Sequence, residues 1–463
     1  MLFSEFRYLP FFLLVFAVHW LLRGNRARKR WLLLASYVFY AAWDPRFCLL
    51  IAASTAVDYI AGARIAALEG ARERRRWLVA SLVSNLGILG FFKYWNFFVA
   101  SGGGLLSALG LAVEPRTLEI VLPVGISFFT FQSMSYTIDI HRRQIEPTRS
   151  FADFALFVSF FPQLVAGPIV RARELLPQLD RRRLRSDVRL RASLTLFLVG
   201  FVKKACIADH LAVPVDAVFA PGAGFDALSH WLASALYGIQ IYCDFSGYSD
   251  MAVASAGLLG YRLVRNFDFP YLSRSLREFW RRWHISLSSW FRDYVYLSLG
   301  GNRTTRARTL RNLASVFLLC GLWHGAAWTF VAWGAVHGAF LMLERTGFGP
   351  WLAARHRALQ TLYVTLSVTL AWVLFRCEDL PHAVGFLAAM TGFGRAGPEQ
   401  LAPVWLLALA AFAGLHVANA WLRLPRRLAA LPPVPFAVAF GVLAALALPW
   451  IATGHRPFIY FQF

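Results

Sequence analysis

LASVFLLCGLWHGAAWTFVAWGAVHGAFLML, residues 313–343, is an apolar stretch without a single Asp, Glu, Lys or Arg. A helix of about 20 apolar residues crosses a hydrocarbon layer of ~30 Å and satisfies its own backbone hydrogen bonds there. Similar stretches recur along the chain, for example at 6–22, 192–218 and 228–260. Because they are continuous and do not alternate, a transmembrane β-barrel is excluded. The sequence predicts an all-α, polytopic membrane protein with roughly 11–12 crossings.

The composition agrees with this class of protein. Of 463 residues, 58% are hydrophobic and 16% are charged, and the mean hydropathy is +0.51. The net charge of +22 comes largely from arginines that cluster between apolar stretches, as at 23–30 and 171–191. Such clusters set orientation and meet anionic lipid, so we expect membrane lipid as a partner and no nucleic acid. The first cluster predicts a cytoplasmic loop and an N-terminus on the outer side.

Some segments depart from a simple crossing. Residues 151–170 contain two prolines and a glycine and are predicted to be a broken, re-entrant segment. Ser101–Gly104 is predicted to be an outer loop, and residues 380–396 a short span or an interfacial helix. No soluble domain or long linker is evident, so residues 1–463 are interpreted as one domain with its catalytic core at about 118–343. The five cysteines lack metal-ligand spacing, and no metal site is expected.

Polar side chains inside apolar stretches are costly, so they are candidates for function. One such set lies in QIYCDFSGYSD, residues 240–250, and consists of Gln240, Asp244, Ser246, Tyr248 and Asp250. These side chains could line a watery cavity. Alternatively, the two aspartates could pair with groups on neighbouring helices, and this structural pairing is the favoured interpretation.

SRSLREFWRRWHISLSSWFRDYVY, residues 273–296, has large apolar residues at helical spacing and arginines elsewhere. This pattern predicts one amphipathic helix at the membrane interface. His284 falls on the apolar face, so we expect its imidazole to point into protein or hydrocarbon.

His324 lies far from any cluster of charge. Gly321 and Gly325 flank it at a spacing that Gly334 and Gly338 repeat, which favours close helix packing or leaves room for a ligand. A titratable ring in an apolar environment needs a partner or water, and an imidazole can remove a hydroxyl proton near neutral pH. No P-loop, G-x-S-x-G or H-E-x-x-H motif is present, which argues against ATP-driven chemistry and a serine hydrolase.

Together these residues resemble the membrane-bound O-acyltransferase family, in particular the bacterial branch that contains the alginate O-acetylation membrane protein. The resemblance covers nearly the whole chain. It rests on PVGISFFTFQSMSYTIDI (123–140), FPQLVAGPI (161–169), YCDFSGYSDMA (242–252), NFDFPYLSRSLREFWRRWHISLSSWFRDYVY (266–296), GLWHGAAWTFVAWGAVHG (321–338) and FIYFQF (458–463).

The resemblance implies a ring of tilted helices around a central cavity that both sides of the membrane reach. His324 matches the family's catalytic histidine and His284 its second signature histidine. The acyl donor would be a cytoplasmic thioester, acyl-CoA (acetyl-CoA) or an acyl-carrier-protein thioester, with no tightly bound cofactor. Trp323 and Trp328 are further candidates for the cavity lining. Arg277, Arg281 and Arg282 could contact the donor's phosphates or, equally, anionic lipid.

The aromatic tail resembles a motif in which a tyrosine carries the acyl group. Tyr460 could therefore pass it to an extracytoplasmic acetyltransferase partner resembling SGNH hydrolases, or the tail could be an interfacial anchor. The implied setting is the bacterial inner membrane, with a periplasmic N-terminus and the export machinery of a polysaccharide such as alginate nearby. Two other interpretations stay open: a transporter or flippase for a lipid-linked glycan, and a non-catalytic scaffold of an export complex.

Overall fold

The computed structural model describes residues 1–111, 114–392 and 397–451. Within these residues the regular elements are helices, which confirms the predicted all-α class. By Cα packing the chain divides into two compact units, Met1–Arg189 with Ser255–Val264, and Leu190–Ala254 with Arg265–Phe463. The interpretation of residues 1–463 as one domain stays a prediction.

Among the residues that the structure describes, the first unit contains nine α-helices that lie wholly within it, with a π-helix at Gly90–Tyr94 joining the fourth to the fifth. They are α1 (Tyr8–Leu21), α2 (Asn25–Ala41), α3 (Arg46–Ala67), α4 (Ala71–Leu89), α5 (Trp95–Ala108), α6 (Ile126–His141), α7 (Phe151–Ser159), α8 (Phe161–Leu164) and α9 (Ala172–Asp180).

The second unit holds the remaining α-helices of the described residues, with π-helices at Val202–Ala208 and Phe291–Tyr296. They are α10 (Leu190–Phe201), α11 (Asp209–Val218), α12 (Ala227–Leu258, which continues into the first unit from Ser255), α13 (Leu276–Arg282), α14 (Ile285–Trp290), α15 (Arg306–His324), α16 (Trp328–Leu343), α17 (Phe348–Ala353), α18 (Arg357–Arg376), α19 (Leu380–Met390), α20 (Val404–Leu422), α21 (Leu424–Ala430) and α22 (Pro433–Ala447).

In the described part of the chain, five helical stretches are long and apolar enough to cross a membrane. They are Arg46–Ala67, Ala71–Ala108, Arg357–Arg376, Val404–Leu422 and Pro433–Trp450. Three shorter apolar helices accompany them, namely α1, α16 and α19. These findings confirm a multi-pass membrane protein, whereas the count of roughly 11–12 crossings stays a prediction.

Side-chain caps explain where several helices begin. The Ser275 hydroxyl accepts the Glu278 N–H at the start of α13, at 3.1 Å, and Ser150 and Thr305 act in the same way on α7 and α15. These caps satisfy backbone donors that a helix start leaves without partners. They fix the entry points of two helices that carry the candidate site, α13 and α15.

The predicted outer loop at Ser101–Gly104 is wrong. These residues lie inside α5, which continues α4 as one helical stretch from Ala71 to Ala108. Each glycine costs a helix about 1 kcal/mol relative to alanine. In a membrane, however, the backbone must satisfy its own hydrogen bonds, and this requirement outweighs glycine's low helix propensity. The chain turns only at Gly110, whose φ is +81°.

The broken segment at 151–170 was predicted correctly in its local structure. Helix α7 ends at Ser159, α8 covers only Phe161–Leu164, and no helix follows until Ala172. Residues 153–170 of the segment are buried inside the first unit, as non-helical backbone at membrane depth must be, whereas Phe151 is 46% exposed. Its re-entrant path stays a prediction.

Candidate active site

The segment around His284 is not one helix. Helix α13 ends at Arg282, α14 begins at Ile285, and His284 lies between them with φ 42° and ψ 55°. The predicted single amphipathic helix over 273–296 is therefore wrong. The left-handed conformation at His284 is uncommon for a residue with a Cβ and interrupts helical hydrogen bonding. It turns the chain so that the His284 side chain is fully buried.

Asn266 holds the backbone that follows His284. Its carbonyl accepts the Ile285 N–H at 2.9 Å. Its side-chain Oδ1 accepts the Ser286 N–H at 3.2 Å and the Ser286 hydroxyl at 2.6 Å. Its Nδ2 donates to the Ser249 hydroxyl at 3.1 Å. The sequence reasoning missed Asn266, although one of the family motifs begins at this residue.

Helices α15 and α16 form the second half of the site. The apolar stretch 313–343 was predicted to be one span, but it contains parts of these two helices. A Cβ on Gly321 would collide with the Phe330 carbonyl oxygen, and a Cβ on Gly334 with that of Phe317. The two glycines let the helices approach this closely, the packing use predicted for them. Helix α15 ends at His324, and Gly325 has an extended backbone.

The two candidate histidines lie side by side. Their ring centroids are 6.4 Å apart, and His324 is 2% exposed. Trp323 contacts both, with its ring 5.7 Å from that of His284 and 5.1 Å from that of His324. The structure thus brings three predicted site residues together inside the second unit.

Aromatic side chains enclose this pair. Phe245 meets the His284 ring edge-on at 4.6 Å. Trp333 and Phe375 meet the His324 ring in the same way at 5.0 and 5.3 Å. The imidazoles therefore lie in protein, in surroundings of low polarity where electrostatic interactions are strong.

A cavity of about 810 Å³ lies near this cluster in the second unit. Trp280, Phe317 and Cys320 belong to its wall, and Cys320 lies one helical turn before His324 in α15. His324 itself is not part of the wall. The lining also contains five arginines and one glutamate, which gives the cavity an excess of positive charge: Arg274, Arg277, Arg281, Arg292, Arg345 and Glu344.

Two of the three predicted phosphate contacts face this cavity. Arg277 and Arg281 line it, whereas Arg282 forms an ion pair with Glu278 at 2.6 Å instead. The Glu344 carboxylate accepts the backbone N–H of Leu276 at 2.5 Å and of Arg277 at 3.2 Å. Burial raises the pKa of the Glu344 carboxyl, and these two hydrogen bonds oppose that rise.

The two aspartates of the polar set in α12 form ion pairs with lysines of the second unit. Lys204 bridges Asp244 at 2.6 Å and Asp209 at 2.8 Å, next to a π-helix. Lys203 pairs with Asp250 at 2.7 Å. The aspartates thus have partners on a neighbouring helix, in the arrangement that the favoured interpretation describes.

The other predicted site residues lie in α12 and at the start of α16. Ser246 and Tyr248 are buried in α12, and Gln240 is half-buried there. Trp328 is 55% exposed at the start of α16. None of these four, nor Trp323, lines the 810 Å³ cavity. Tyr460 lies outside the described residues.

The sequence motifs did not identify a third buried histidine near this pair. His337 lies in α16 and is fully buried, with its ring 4.7 Å from that of Trp333. It belongs to the same uncharged stretch as His324, so the cost of a polar group among apolar residues would have identified it as well.

Comparison with known proteins points to one family. The family model for the membrane-bound O-acyltransferases matches residues 142–349, which contain both candidate histidines and His337. This matched region begins directly after α6 and ends inside α17.

Named relatives cover most of the chain. The probable alginate O-acetylase AlgI of Azotobacter vinelandii is 46% identical over 400 residues, which are 85% of this chain and 79% of the relative. The protein of the same name from Pseudomonas aeruginosa is 46% identical over 401 residues, 85% and 75% of the two chains. A peptidoglycan O-acetyltransferase of Helicobacter pylori is 36% identical over 393 residues, 79% and 74%.

Proposed function

This chain belongs to the membrane-bound O-acyltransferase family and is an O-acyltransferase of the membrane, and we propose that it moves an acetyl group from a cytoplasmic thioester to a hydroxyl acceptor across the bacterial inner membrane. The family predicted from the sequence motifs is thereby confirmed. The relatives named for alginate and peptidoglycan O-acetylation indicate a role in polysaccharide modification. An exported polysaccharide such as alginate is the final acceptor in this proposal.

The observation that carries the proposal is the buried pair of imidazoles at a ring separation of 6.4 Å. His324 acts as the general base and takes the proton of the acceptor hydroxyl. The hydroxyl oxygen forms a bond to the acyl carbon, and the bond from that carbon to sulfur breaks. The departing thiolate then takes the proton from the His324 imidazolium, so the base is restored.

His284 has a separate task in this mechanism. We assign its ring the stabilisation of the acyl oxygen, where negative charge develops during the attack, by a hydrogen bond. This role is favoured by a ring that is held in a fixed position. The left-handed backbone at His284 and the Asn266 contacts of the residues that follow it hold the ring in this way. Positioning of donor and acceptor in a water-poor site adds to the rate.

The arginine-lined cavity is the proposed donor site. Both acyl-CoA and an acyl-carrier-protein thioester present phosphate next to a long amide-bearing arm, and guanidinium groups bind phosphate well. Arg277 and Arg281 lie in the wall of this cavity, and Cys320 brings it within one helical turn of His324. Bound donor would thus reach from the arginines toward the histidine pair.

Turnover in proteoliposomes tests the proposal. We expect His324→Ala to abolish acetyl transfer from labelled acetyl-CoA or an acetylated carrier protein, since it removes the base. A matched control is His416→Gln, which changes another buried imidazole of the second unit that contacts Tyr242 and Phe412. The control should keep most of the activity. Full activity of a folded His324→Ala protein would overturn the mechanism.

A further inference from the structure

His337 lies in a cage of aromatic rings. The ring of Trp333 meets it edge-on at 4.7 Å and that of Trp280 at 5.1 Å. Phe279 and Phe317 stack parallel to it at 6.5 and 6.4 Å. Such surroundings suit an apolar side chain, yet the position holds an imidazole.

The nitrogen atoms in this cage lack partners in the protein. Within the part of the chain that the structure describes, neither ring nitrogen of His337 has a hydrogen-bond partner, and neither do the indole N–H groups of Trp280 and Trp333. Buried polar groups nearly always have a partner, because an unsatisfied one is costly. Four such atoms on adjacent side chains point to a partner from outside the chain.

The chemistry of these atoms limits what that partner can be. An indole N–H is a donor only, and a neutral imidazole offers one donor and one acceptor. A hydrocarbon chain would satisfy none of them. A molecule rich in carbonyl oxygens, with amide N–H groups as well, would satisfy all of them.

The cage lies between the donor cavity and the proposed base. Trp280 and Phe317 contact His337 and also line the arginine-rich cavity. The Trp333 ring contacts the His337 ring at 4.7 Å and the His324 ring at 5.0 Å. A donor whose phosphates bind at the arginines must pass this cage for its thioester to approach His324.

We propose that His337, Trp280 and Trp333 form a subsite that hydrogen-bonds the amide groups of the acyl donor's arm. This inference rests on the proposed function and adds to it the residues that recognise the uncharged part of the donor. His337 is a substrate-binding residue in this proposal. It takes no part in proton transfer, which belongs to His324.

Binding of two probes distinguishes the contribution of the His337 subsite to donor binding from that of the arginines. S-Acetyl-4′-phosphopantetheine carries the arm and the thioester, whereas adenosine 3′,5′-bisphosphate carries phosphates without the arm. We expect His337→Phe to weaken binding of the first probe about 10-fold, the loss of one or two hydrogen bonds, and to leave the second unchanged. His337→Gln, which keeps a donor and an acceptor, should restore most of the affinity. Arg277→Ala with Arg281→Ala should weaken both probes.

Thermal unfolding of the unliganded protein distinguishes this role from a structural one. Because His337→Phe removes unsatisfied polar atoms, its melting temperature should equal or exceed that of the wild type. Unchanged binding of both probes by His337→Phe would mean that the ring's partner is internal water, and equal loss of both with a lower melting temperature would mean packing only. Either result overturns the inference.

A second variant keeps the inference testable if the His337→Phe protein does not insert into the membrane. Trp280→Phe keeps the aromatic contact and removes one N–H, so it should weaken the acetylated arm and spare the bisphosphate. Unchanged binding of the arm by Trp280→Phe would contradict the subsite. If the wild-type protein binds neither probe and transfers acetyl from neither donor, the proposed function itself fails, a result distinct from all of these.

Discussion

His284 carries its imidazole on a left-handed backbone, a conformation that costs a residue with a Cβ on the order of 1–3 kcal/mol. The hydrogen bonds that Ile285 and Ser286 donate to oxygen atoms of Asn266 offset that cost. The position of the His284 ring therefore depends on a side chain that takes part in no chemical step.

Replacing Asn266 by alanine should show this dependence. Asn266→Ala removes three side-chain hydrogen bonds, each with a net value of about 0.5–1.5 kcal/mol. We expect the free energy of unfolding to fall by about 2–4 kcal/mol and acetyl transfer to slow at the same time. Unfolding in detergent and turnover in proteoliposomes measure the two effects.

Ser249→Ala is the matched control for Asn266→Ala. It removes only the hydrogen bond from Asn266 Nδ2 and leaves both bonds to Ser286 in place. Its cost should stay near 1 kcal/mol, with turnover close to the wild type. Equal losses of turnover in the two variants would speak against positioning through Ser286.

The candidate site could be predicted in part at this scale. His284 and His324 were found because a polar ring in an apolar stretch is anomalous, and His337 carries the same signal. Asn266 carries no such signal, since asparagine is common in turns. Its role depends on a contact with the Ser286 backbone, which only the folded chain creates.

Helices α15 and α16 hold His324 through the contact of Gly321 with Gly334. The backbones approach so closely that carbonyl oxygens occupy the space where side chains would begin. Because this contact sets the distance between His324 and Trp333, the hairpin is the element that positions the proposed base.

Gly334→Ala should therefore disrupt the site. A methyl group there meets the Phe317 carbonyl oxygen, and forcing one into a packed interface costs roughly 1–3 kcal/mol. We expect a lower melting temperature and a loss of acetyl transfer. Gly338→Ala is the control, because its added Cβ would lie 3.4 Å from that of Phe317, an ordinary contact. A melting temperature of Gly334→Ala as high as that of the control would contradict the argument.

The positions at which helices break were predicted only in part from the sequence. Apolar positions keep helical spacing on both sides of His284. The sequence pattern therefore gives no sign of the single left-handed residue that separates two short helices. At Ser101–Gly104 the error was the reverse, because glycine marks a loop in water but is tolerated inside a membrane helix. The breaks within residues 151–170 were predicted, since two prolines and a glycine in so short a segment interrupt a helix in any solvent.

For the whole molecule, membrane character and family could be predicted because both follow from long apolar stretches and long motifs, which can be recognised without the folded structure. The division into two compact units could not. Ser255–Val264 belongs to the first unit, where the Ser255 hydroxyl lies 2.6 Å from the hydroxyl of Tyr8. Contacts between residues so far apart in the chain have no local signal.

The route of the acetyl group is a prediction about the whole molecule. If Tyr460 carries the group outward, labelled acetyl-CoA or acetylated carrier protein should leave label on Tyr460, located by mass spectrometry. Tyr460→Phe should then keep donor binding and lose polymer acetylation.

Tyr363→Phe is the matched control for Tyr460→Phe, since it removes a tyrosine hydroxyl within α18 and should leave the label in place. Full polymer acetylation by Tyr460→Phe would instead assign the tail to membrane anchoring. Label on an added extracytoplasmic transferase without Tyr460 would indicate direct transfer.

The rings of Trp280, Trp323 and Trp333 each lie within 6 Å of at least one of the imidazoles of His284, His324 and His337. Indole emission is quenched by a protonated imidazole and shifts in colour when a polar group comes near. The chain therefore contains its own optical reporter, built from the residues that we assign to donor recognition and proton removal. The chain has 17 tryptophans, so the reporter signal is the part of the ultraviolet-excited emission that disappears when these three are replaced by phenylalanine. That part should change in real time when a ligand arrives or the base is protonated.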